Sequence, residues 1–292
     1  MSGAHFLANG TSLFYTLEGP PTAAPILLIH GWGCDLLDWS FQIPFLLTLG
    51  FQVLALDLRG HGRSPAYPSP TAFPSLYSPT AFAADASALL SHLNFTQPAL
   101  VMGHSLGGLV AAILAIEHPA QVRGAVLVDS AYYLTANDTA SLNADIRNDT
   151  AHALQTITTW FEAVVGVYDE RTPEWEKTWH KLRTWGADVD AVVQTGLELN
   201  GYDGTLGRWE DAEGYLKEGF GARTGVEAGR VPRLAVVAAE YKVDMEKAIG
   251  LDEAGVGDRV SVLEEGHWLH QQGAEQFNGI VESWFRDRDF LP

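Results

Sequence analysis

The feature that most constrains the fold is the run Gly103-His104-Ser105-Leu106-Gly107, which lies between an apolar stretch and a stretch of small residues. The run Leu100 to Met102 before it is typical of a strand, and the residues after Ser105 predict a helix that stops at Pro119. A serine on a sharp strand-to-helix turn takes a strained backbone, and glycines two residues to either side let the chain pack closely. The segment therefore predicts a strand, a tight turn and a helix, with the serine hydroxyl presented at the turn.

Short apolar runs alternate with helical patterns along the rest of the chain, which favours an α/β fold with a mostly parallel, doubly wound sheet. After Asp129 the sheet pattern lapses for about a hundred residues and helical periodicity replaces it, until sheet character returns at Val231. We therefore expect an α/β body at residues 1–130 and 230–292, interrupted by a helical cap inserted at residues 131–229. The clearest strands are expected at 26–29, 53–56, 100–102, 125–128, 231–237 and 259–263, and further helices at 39–49, 81–93 and 274–285.

The amino-acid composition of the chain limits the kinds of molecule that it is expected to bind. Acidic residues outnumber basic residues by 36 to 18, which gives a formal net charge of −18. Such a surface repels phosphate backbones and anionic membranes, so we expect a small-molecule substrate, no nucleic acid and no membrane. The single cysteine, Cys34, excludes internal disulfides and multi-cysteine metal sites and favours a reducing, cytoplasmic location. No residue spacing implies a metal or an organic cofactor, and the oligomeric state is not predicted.

A serine hydroxyl is a weak nucleophile until a base takes its proton, so a nucleophilic Ser105 requires a histidine. The run Gly266-His267-Trp268-Leu269-His270 supplies two, after a predicted strand and before the last predicted helix. Its position there favours His267 as the base, and His270 is the alternative, otherwise expected to hydrogen-bond the backbone.

A second glycine-rich run, His30-Gly31-Trp32-Gly33, follows the first clear strand. Glycines at this place let a backbone amide approach a substrate oxygen. We expect the amides of Trp32 and Leu106 to form an oxyanion hole and the His30 ring to tie its loop together. The Trp32 side chain is interpreted either as a pocket wall or as core.

Four motifs together resemble the successive signatures of the α/β-hydrolase superfamily, in the same order and over most of the chain outside the predicted cap. They are His30-Gly31-Trp32-Gly33, Asp57-Leu58-Arg59-Gly60-His61-Gly62-Arg63-Ser64, Gly103 to Gly108 and Gly266-His267-Trp268. The resemblance implies a nucleophile elbow and a catalytic triad in which Ser105 and His267 are two members. It also implies a structural turn at residues 57–64, so we assign Arg59 and His61 no chemistry.

The third member of the triad is an acid, and its usual position in the superfamily holds no well-aligned acid in this sequence. Members of the superfamily usually carry the acid about nine residues beyond a proline that matches Pro232, near Tyr241 here, where Glu240 and Asp244 lie close by. A minority takes the acid from the end of the preceding strand, and Asp129 lies there, 24 residues after Ser105. Asp129 is the preferred acid, with Glu240 and Asp244 as alternatives, because a triad is defined by geometry and not by sequence position.

The resemblance implies hydrolysis of an ester or lactone through an acyl-enzyme, and the same groups serve carbon–carbon bond hydrolases and acyl transferases. A serine nucleophile argues against epoxide hydrolases and haloalkane dehalogenases, which use a carboxylate. Two other classes remain open. One is a cofactor-free, ring-cleaving dioxygenase, which shares the early His-Gly-Trp, the serine elbow and the early acid. The other is a non-catalytic receptor for a small ligand.

The predicted cap is rich in aromatic residues, which either pack it onto the body or line a pocket for a bulky apolar or aromatic small molecule. They are Tyr132, Tyr133, Trp160, Phe161, Tyr168, Trp175, Trp179, Trp185, Tyr202, Trp209, Tyr215 and Phe220.

Overall fold

The structure of the chain is a computed structural model. It describes residues 3–8, 10–67, 76–132, 142, 144–146, 148–149, 152–164, 168, 172–199, 209–221, 231–254 and 257–292. Tyr133 and Tyr202 of the predicted cap lie outside these residues.

The described strands form one eight-stranded, mostly parallel sheet in the order β1-β2-β4-β3-β5-β6-β7-β8. The pairs β1·β2 and β2·β4 are antiparallel, and the other neighbours are parallel. This arrangement confirms the predicted fold class. The strands are β1 (Gly3–Ala8), β2 (Thr11–Glu18), β3 (Pro25–Ile29), β4 (Gln52–Leu56), β5 (Ala99–His104), β6 (Val122–Val128), β7 (Arg233–Val237) and β8 (Arg259–Val262).

Helices connect the strands and cover both faces of the sheet. The first connection also contains a 3-10 helix at Leu36–Trp39. Within the described ranges, helices and no strand occur between β6 and β7, at α4 to α7. The helices are α1 (Gln42–Thr48), α2 (Pro79–Leu93), α3 (Leu106–Glu117), α4 (Ala153–Val164), α5 (Glu174–Trp185), α6 (Val189–Leu199), α7 (Trp209–Gly221), α8 (Glu240–Ala248), α9 (Leu269–Gln272) and α10 (Ala274–Asp287).

The central strands carry apolar side chains on both faces, because helices bury both. In β3, Leu27 and Ile29 enter the core on one face, while Ile26 and Leu28 enter the core on the other. All four are fully buried. This two-sided burial explains why the strand is a continuous apolar run and not an alternating one.

The parallel strands bring together the segments that follow their carboxyl ends, which is where open α/β sheets bind ligands. The run that starts at His30 follows β3, Ser105 follows β5, Asp129 follows β6, and His267 lies in the loop after β8. Residues far apart in sequence therefore meet at one edge of the sheet.

The four strands predicted between residues 26 and 128 each lie within an observed strand. The helix expected at 39–49 is divided, because a 3-10 turn ends at Trp39 before α1 begins at Gln42. At the start of α2 the Ser78 hydroxyl accepts a hydrogen bond from the Ala81 amide at 3.2 Å and caps the helix. The hairpin of β1 and β2 was not predicted. No helix in the described part of the chain has the length and apolar character needed to cross a membrane.

Candidate active site

The elbow, residues 103–107, has the strained backbone that the sequence predicts. Ser105 takes φ 53° and ψ −118°, a conformation that costs energy in a residue with a Cβ atom. Both flanking glycines are required by close approach. A Cβ on Gly103 would lie 2.0 Å from the Gly107 carbonyl oxygen, and one on Gly107 would lie 2.2 Å from the carbonyl oxygen of Ile29. The turn is therefore fixed by backbone packing that only glycine permits.

The glycine loop, residues 30–34, packs directly against the elbow. A Cβ on Gly31 would lie 3.3 Å from the Cβ of Ser105. The loop turns sharply because Gly33 has φ 69° and the Cys34 amide donates to the Gly31 carbonyl at 3.2 Å. Leu106 begins α3, so its amide is among those that have no acceptor within the helix. The glycine loop and the first turn of α3 thus lie beside the serine.

The candidate base and the preferred acid are in contact. Nδ1 of His267 lies 2.5 Å from Oδ2 of Asp129. Oδ1 of Asp129 accepts the Ala238 amide at 3.0 Å, and its Oδ2 also accepts Lys242 Nζ at 2.7 Å. Asp129 itself has φ 41°, so a second strained residue follows a second strand. Because an ionised carboxylate only accepts, the Nδ1 atom of His267 carries the proton and Nε2 is left to act as acceptor.

The pKa values of both members of this pair lie below their ordinary values, for different reasons. Burial disfavours the charged carboxylate, but the hydrogen bond and charge of His267, with those of Lys242, outweigh it and hold the pKa of Asp129 well below its usual range. Burial also lowers the pKa of His267, and the positive charges of His104 and Lys242 add to that effect against the attraction of Asp129. The structure therefore favours a charged Asp129 beside a neutral His267.

The alternative residues occupy other positions. Glu240 and Asp244 lie on α8 and are exposed. His270 is fully buried, and within the described ranges neither of its ring nitrogens makes a hydrogen bond, so the expected bond to the backbone is not found. Burial lowers the pKa of His270 well below its ordinary value. Among the described residues, the Ser105 hydroxyl makes no hydrogen bond to either histidine; such bonds are often long before substrate binds.

A second buried carboxylate, Asp38, ties four parts of the site together. It is fully buried in the 3-10 helix after the glycine loop. Its side chain meets donors from the glycine loop, the elbow, the loop and helix that follow β8, and α5. They are the Gly31 amide at 3.4 Å, His104 Nδ1 at 2.9 Å, Trp268 Nε1 at 3.0 Å, Gln271 Nε2 at 2.8 Å and Arg183 at 3.3 Å.

His104 of the elbow has an oxygen neighbour at each ring nitrogen. Its Nδ1 lies 2.9 Å from Oδ2 of Asp38, and its Nε2 lies 3.0 Å from the backbone carbonyl oxygen of His267. Burial disfavours the charged form of Asp38, but His104 and Arg183 outweigh it and hold the pKa of Asp38 well below its usual range. The His104 ring thus links Asp38 and the elbow to the backbone of the candidate base.

The helical segment, α4 to α7, contacts the site through polar and aromatic groups. The Trp32 indole donates to the Val192 carbonyl of α6 at 2.8 Å, and the Thr184 hydroxyl of α5 donates to the Gly33 carbonyl at 3.2 Å. The Trp32 ring lies 6.5 Å from that of Trp160 and 5.3 Å from that of Phe161. The Trp32 side chain is thus buried under these helices.

The remaining motif residues have structural contacts. The Nδ1 of His30 bonds the Gly31 carbonyl at 2.8 Å, and its Nε2 accepts the Leu58 amide at 3.0 Å, so the ring joins two loops as predicted. Burial lowers the pKa of His30 to about 3, which keeps the ring neutral. Arg59 forms a buried ion pair with Asp85.

One group of side chains in the described ranges has ligand atoms spaced closely enough for a metal ion: Asp38, His104 and His270, whose ligand atoms lie within 4.8 Å of one another. Both His104 nitrogens already face oxygen atoms, and Arg183 supplies a positive charge to Asp38. The group is therefore better explained as a balanced cluster of charges than as a metal centre.

Fold and site together define a class: an α/β sheet with a serine elbow, a neighbouring glycine loop and a histidine–aspartate pair at its carboxyl edge. A family profile described as the alpha/beta hydrolase fold matches residues 24–194, more than half of the chain. The chain belongs to the alpha/beta hydrolase family.

Two curated relatives have similarity over part of their length. A non-heme chloroperoxidase from Streptomyces lividans is 39% identical over 125 residues, which is 42% of this chain and 42% of the relative. A bifunctional esterase/perhydrolase from Acinetobacter calcoaceticus is 36% identical over 123 residues, again 42% of each. The similarity thus spans less than half the length of these relatives.

Solved structures agree in fold over nearly the whole chain. An enol-lactonase from Burkholderia xenovorans covers 97% of this chain and 100% of its own, with a TM-score of 0.76 and 20% identity. An esterase from Exiguobacterium antarcticum covers 98% of this chain and 100% of its own, with a TM-score of 0.74 and 21% identity. At these identities the likeness shows the fold alone.

Four residues of the candidate site were not predicted from the sequence: Asp38, His104, Arg183 and Lys242. For Asp38 a signal was present, because a charged residue between Leu37 and Trp39 in an apolar stretch points to a buried partner. Arg183 gave no such signal, since its contact with Asp38 joins residues 145 positions apart.

Proposed function

We propose that the chain is a serine hydrolase that cleaves a carboxylic ester or lactone of a small apolar or aromatic molecule through an acyl-enzyme. The observation that carries the proposal is the 2.5 Å contact between His267 Nδ1 and Asp129 Oδ2 at the edge where the strained Ser105 follows β5. The names of the similar esterase/perhydrolase and enol-lactonase support the same chemistry.

In this mechanism the Ser105 oxygen attacks the substrate carbonyl carbon while its proton passes to His267 Nε2. Asp129 holds the proton on Nδ1 and stabilises the imidazolium that forms. The amides of Trp32 and Leu106 donate to the developing oxyanion. The C–O bond then breaks, and the leaving oxygen takes the proton from His267, which gives the acyl-enzyme.

Water resolves the acyl-enzyme by the reverse use of the same groups. His267 Nε2 takes a proton from water as the water oxygen attacks the acyl carbon, and returns it to the Ser105 oxygen as the acid departs. The overall reaction consumes one water and needs no metal or organic cofactor.

The aromatic residues between the helical segment and the body support an apolar substrate. Phe161 lies 6.2 Å and Tyr168 6.0 Å from the Trp268 ring, measured between ring centroids. Trp268 directly follows the candidate base. In the proposal, α4 to α7 act as the cap and these rings form the wall that faces a flat or bulky acyl group. A reducing, cytoplasmic location fits the single buried Cys34.

The proposal is tested with p-nitrophenyl butyrate, using Ser105→Ala and the matched surface variant Ser91→Ala. Ser91 is exposed on α2. We expect turnover by the wild type and by Ser91→Ala, and a loss of at least about 10³-fold in Ser105→Ala. Equal turnover by Ser105→Ala would rule out the acyl-enzyme.

One observation favours a second candidate. The histidine–aspartate pair is assembled, whereas the Ser105 hydroxyl makes no hydrogen bond to His267 among the described residues. In a cofactor-free dioxygenase, a histidine base takes a proton from the substrate and no serine is acylated. Oxygen consumption with a hydroxy-oxoquinoline that persists in Ser105→Ala would support this candidate. Tight binding of such a ligand without turnover would instead indicate a receptor.

A further inference from the structure

The lysine beside the candidate acid has an unusual position. Lys242 Nζ lies 2.7 Å from Asp129 Oδ2, the same oxygen that bonds His267. The other oxygen is occupied by the Ala238 amide. Two cationic or potentially cationic groups therefore compete for one carboxylate oxygen, and only one of them is the base.

The placement of Lys242 in its helix supports a specific role. It is the third residue of α8, where the helix dipole disfavours a positive charge. The two carboxylates nearest to it in sequence, Glu240 and Asp244, are exposed, whereas the lysine is 22% exposed and contacts an acid that is 1% exposed. The side chain of α8 that bonds Asp129 is thus a cation and not an acid.

We propose that Lys242 is a positioning residue that holds Asp129 through the oxygen it shares with His267, and thereby keeps His267 neutral and able to accept a proton in mildly acidic solution. A carboxylate already neutralised by an ammonium group stabilises an imidazolium less than a free carboxylate does. Lys242 accordingly extends the working range of the base toward lower pH.

Other charged groups lie near Asp129 and His267, and the test must separate their effect on His267 from that of Lys242. His267 is also approached by the His104 ring of the elbow, at 4.8 Å between ring centroids. Asp129 and Lys242 both act on the buried carboxyl of Glu246, one turn further along α8. Glu246 has a pKa raised by burial to about 7, so its charge changes within the pH range of the test. The experiment therefore includes Glu246→Gln.

The test compares Lys242→Met with Lys247→Met, which removes the same charge from an exposed position on the same helix. The acid limb of kcat/KM for p-nitrophenyl butyrate is measured between pH 4.5 and 9. We expect Lys242→Met to move the midpoint of this limb up by about one pH unit. Lys247→Met and Glu246→Gln should leave it within about 0.2 unit, and Lys242→Arg should retain the wild-type midpoint.

A second readout does not require turnover. The His267 imidazole is titrated by NMR in protein labelled at its ten histidines, and its signal is assigned by its loss in His267→Gln. The inference rests on the proposed function only for the kinetic limb. An NMR midpoint that rises in Lys242→Met without ester turnover in the wild type would support the role of Lys242 while rejecting the hydrolase.

Three results would overturn the inference. One is an unmoved midpoint with a lowered plateau, which is the result expected of a merely structural lysine. Another is an equal shift in Lys247→Met, which indicates a general loss of charge. The third is a shift in Glu246→Gln equal to that in Lys242→Met. Lys242→Gln replaces Lys242→Met if the apolar variant does not fold, with the same expectations.

Discussion

Two buried aspartates, Asp129 and Asp38, both act on the loop that carries His267, but they reach it in different ways. Asp129 bonds the His267 ring directly and also binds Lys242. Asp38 bonds the next side chain, Trp268, and holds the His267 backbone through the His104 ring. We propose that the two carboxylates have different tasks: Asp129 acts on the protonation of the candidate base, whereas Asp38 fixes its position.

The surroundings of the two carboxylates follow this division. The donors to Asp129 come from the body of the fold, near the ends of neighbouring strands. Asp38 also receives Arg183 from α5, so it connects the site to the helical segment. A change at Asp129 should therefore affect chemistry more than folding, and a change at Asp38 should do the reverse.

The largest expected effect is that of Asp129→Asn on turnover. An amide does not hold the proton on His267 Nδ1 and does not stabilise the imidazolium, so kcat for p-nitrophenyl butyrate should fall by about 10⁴-fold. The exposed acids Glu240 and Asp244 provide the controls, as Glu240→Gln and Asp244→Asn. A loss of turnover confined to Glu240→Gln or Asp244→Asn would instead show that the triad acid lies on α8.

Asp38→Asn should have its main effect on stability. It removes the buried counter-ion that Arg183 has besides Asp35, and it changes the acceptor beside His104 Nδ1, which should lower the free energy of unfolding by about 3–5 kcal/mol. Urea denaturation measures this value. Adding Arg183→Met should recover part of the loss, because it removes the buried charge that has lost this partner. A loss below about 1 kcal/mol in the single variant would show that Asp38 does not hold the cluster together.

The pH dependence of the wild type sharpens the role of Asp129. Burial, His104 and Lys242 lower the pKa of His267, so the base stays neutral below the ordinary histidine range. Hydrolysis should hold its rate to below about pH 6.5 and fall as the ring becomes protonated in more acidic solution. Stopped-flow kcat/KM values across pH 4–8 check this. A rate that is flat down to pH 4, or a midpoint above pH 7, contradicts a neutral His267 acting as base.

The smallest expected effect concerns a third buried acid, Glu246. Here the substitution should raise the free energy of unfolding, whereas substitution of Asp38 should lower it. Burial raises its pKa to about 7, above the ordinary value of 4.5, while the Tyr132 hydroxyl donates a hydrogen bond to its carboxyl. The folded state therefore binds this proton more tightly than the unfolded state, and stability is lost as pH rises through about 4.5 to 7. Glu246→Gln should raise the free energy of unfolding at pH 8, relative to the wild type, by about 1 kcal/mol. If the wild type and Glu246→Gln have equal free energies of unfolding at pH 8 as well as at pH 5, the charge of Glu246 does not destabilise the folded state.

Local signals predicted the fold and part of the site. The elbow was predictable because the close contacts that require glycine at positions 103 and 107 involve only the elbow itself and the end of β3. Ser105 and Asp129 each directly follow one of two neighbouring parallel strands, β5 and β6, so they lie at the same edge of the sheet. Trp32 was placed in its loop, but its burial under α6 was not predictable, because the Val192 carbonyl that it bonds is 160 residues away.

The sequence left the acid open because Asp129, Glu240 and Asp244 all follow strands that end at the same edge. The choice among them depends on backbone direction after β6, where Asp129 takes φ 41° and turns toward His267. The hairpin of β1 and β2 was missed for another reason. Its strands lie at the edge of the sheet, and only Leu13, Tyr15 and Thr16 among their described side chains are buried, so the apolar pattern is short.

The central claim is that Ser105 is a nucleophile activated by His267, and covalent labelling tests it most directly. The protein is treated with a fluorophosphonate and the modified peptide is identified by mass spectrometry. The account predicts one phosphonylated residue, Ser105, with labelling abolished in Ser105→Ala and strongly slowed in Asp129→Asn. An active protein that remains unlabelled at Ser105, or that is labelled at another serine, would contradict it.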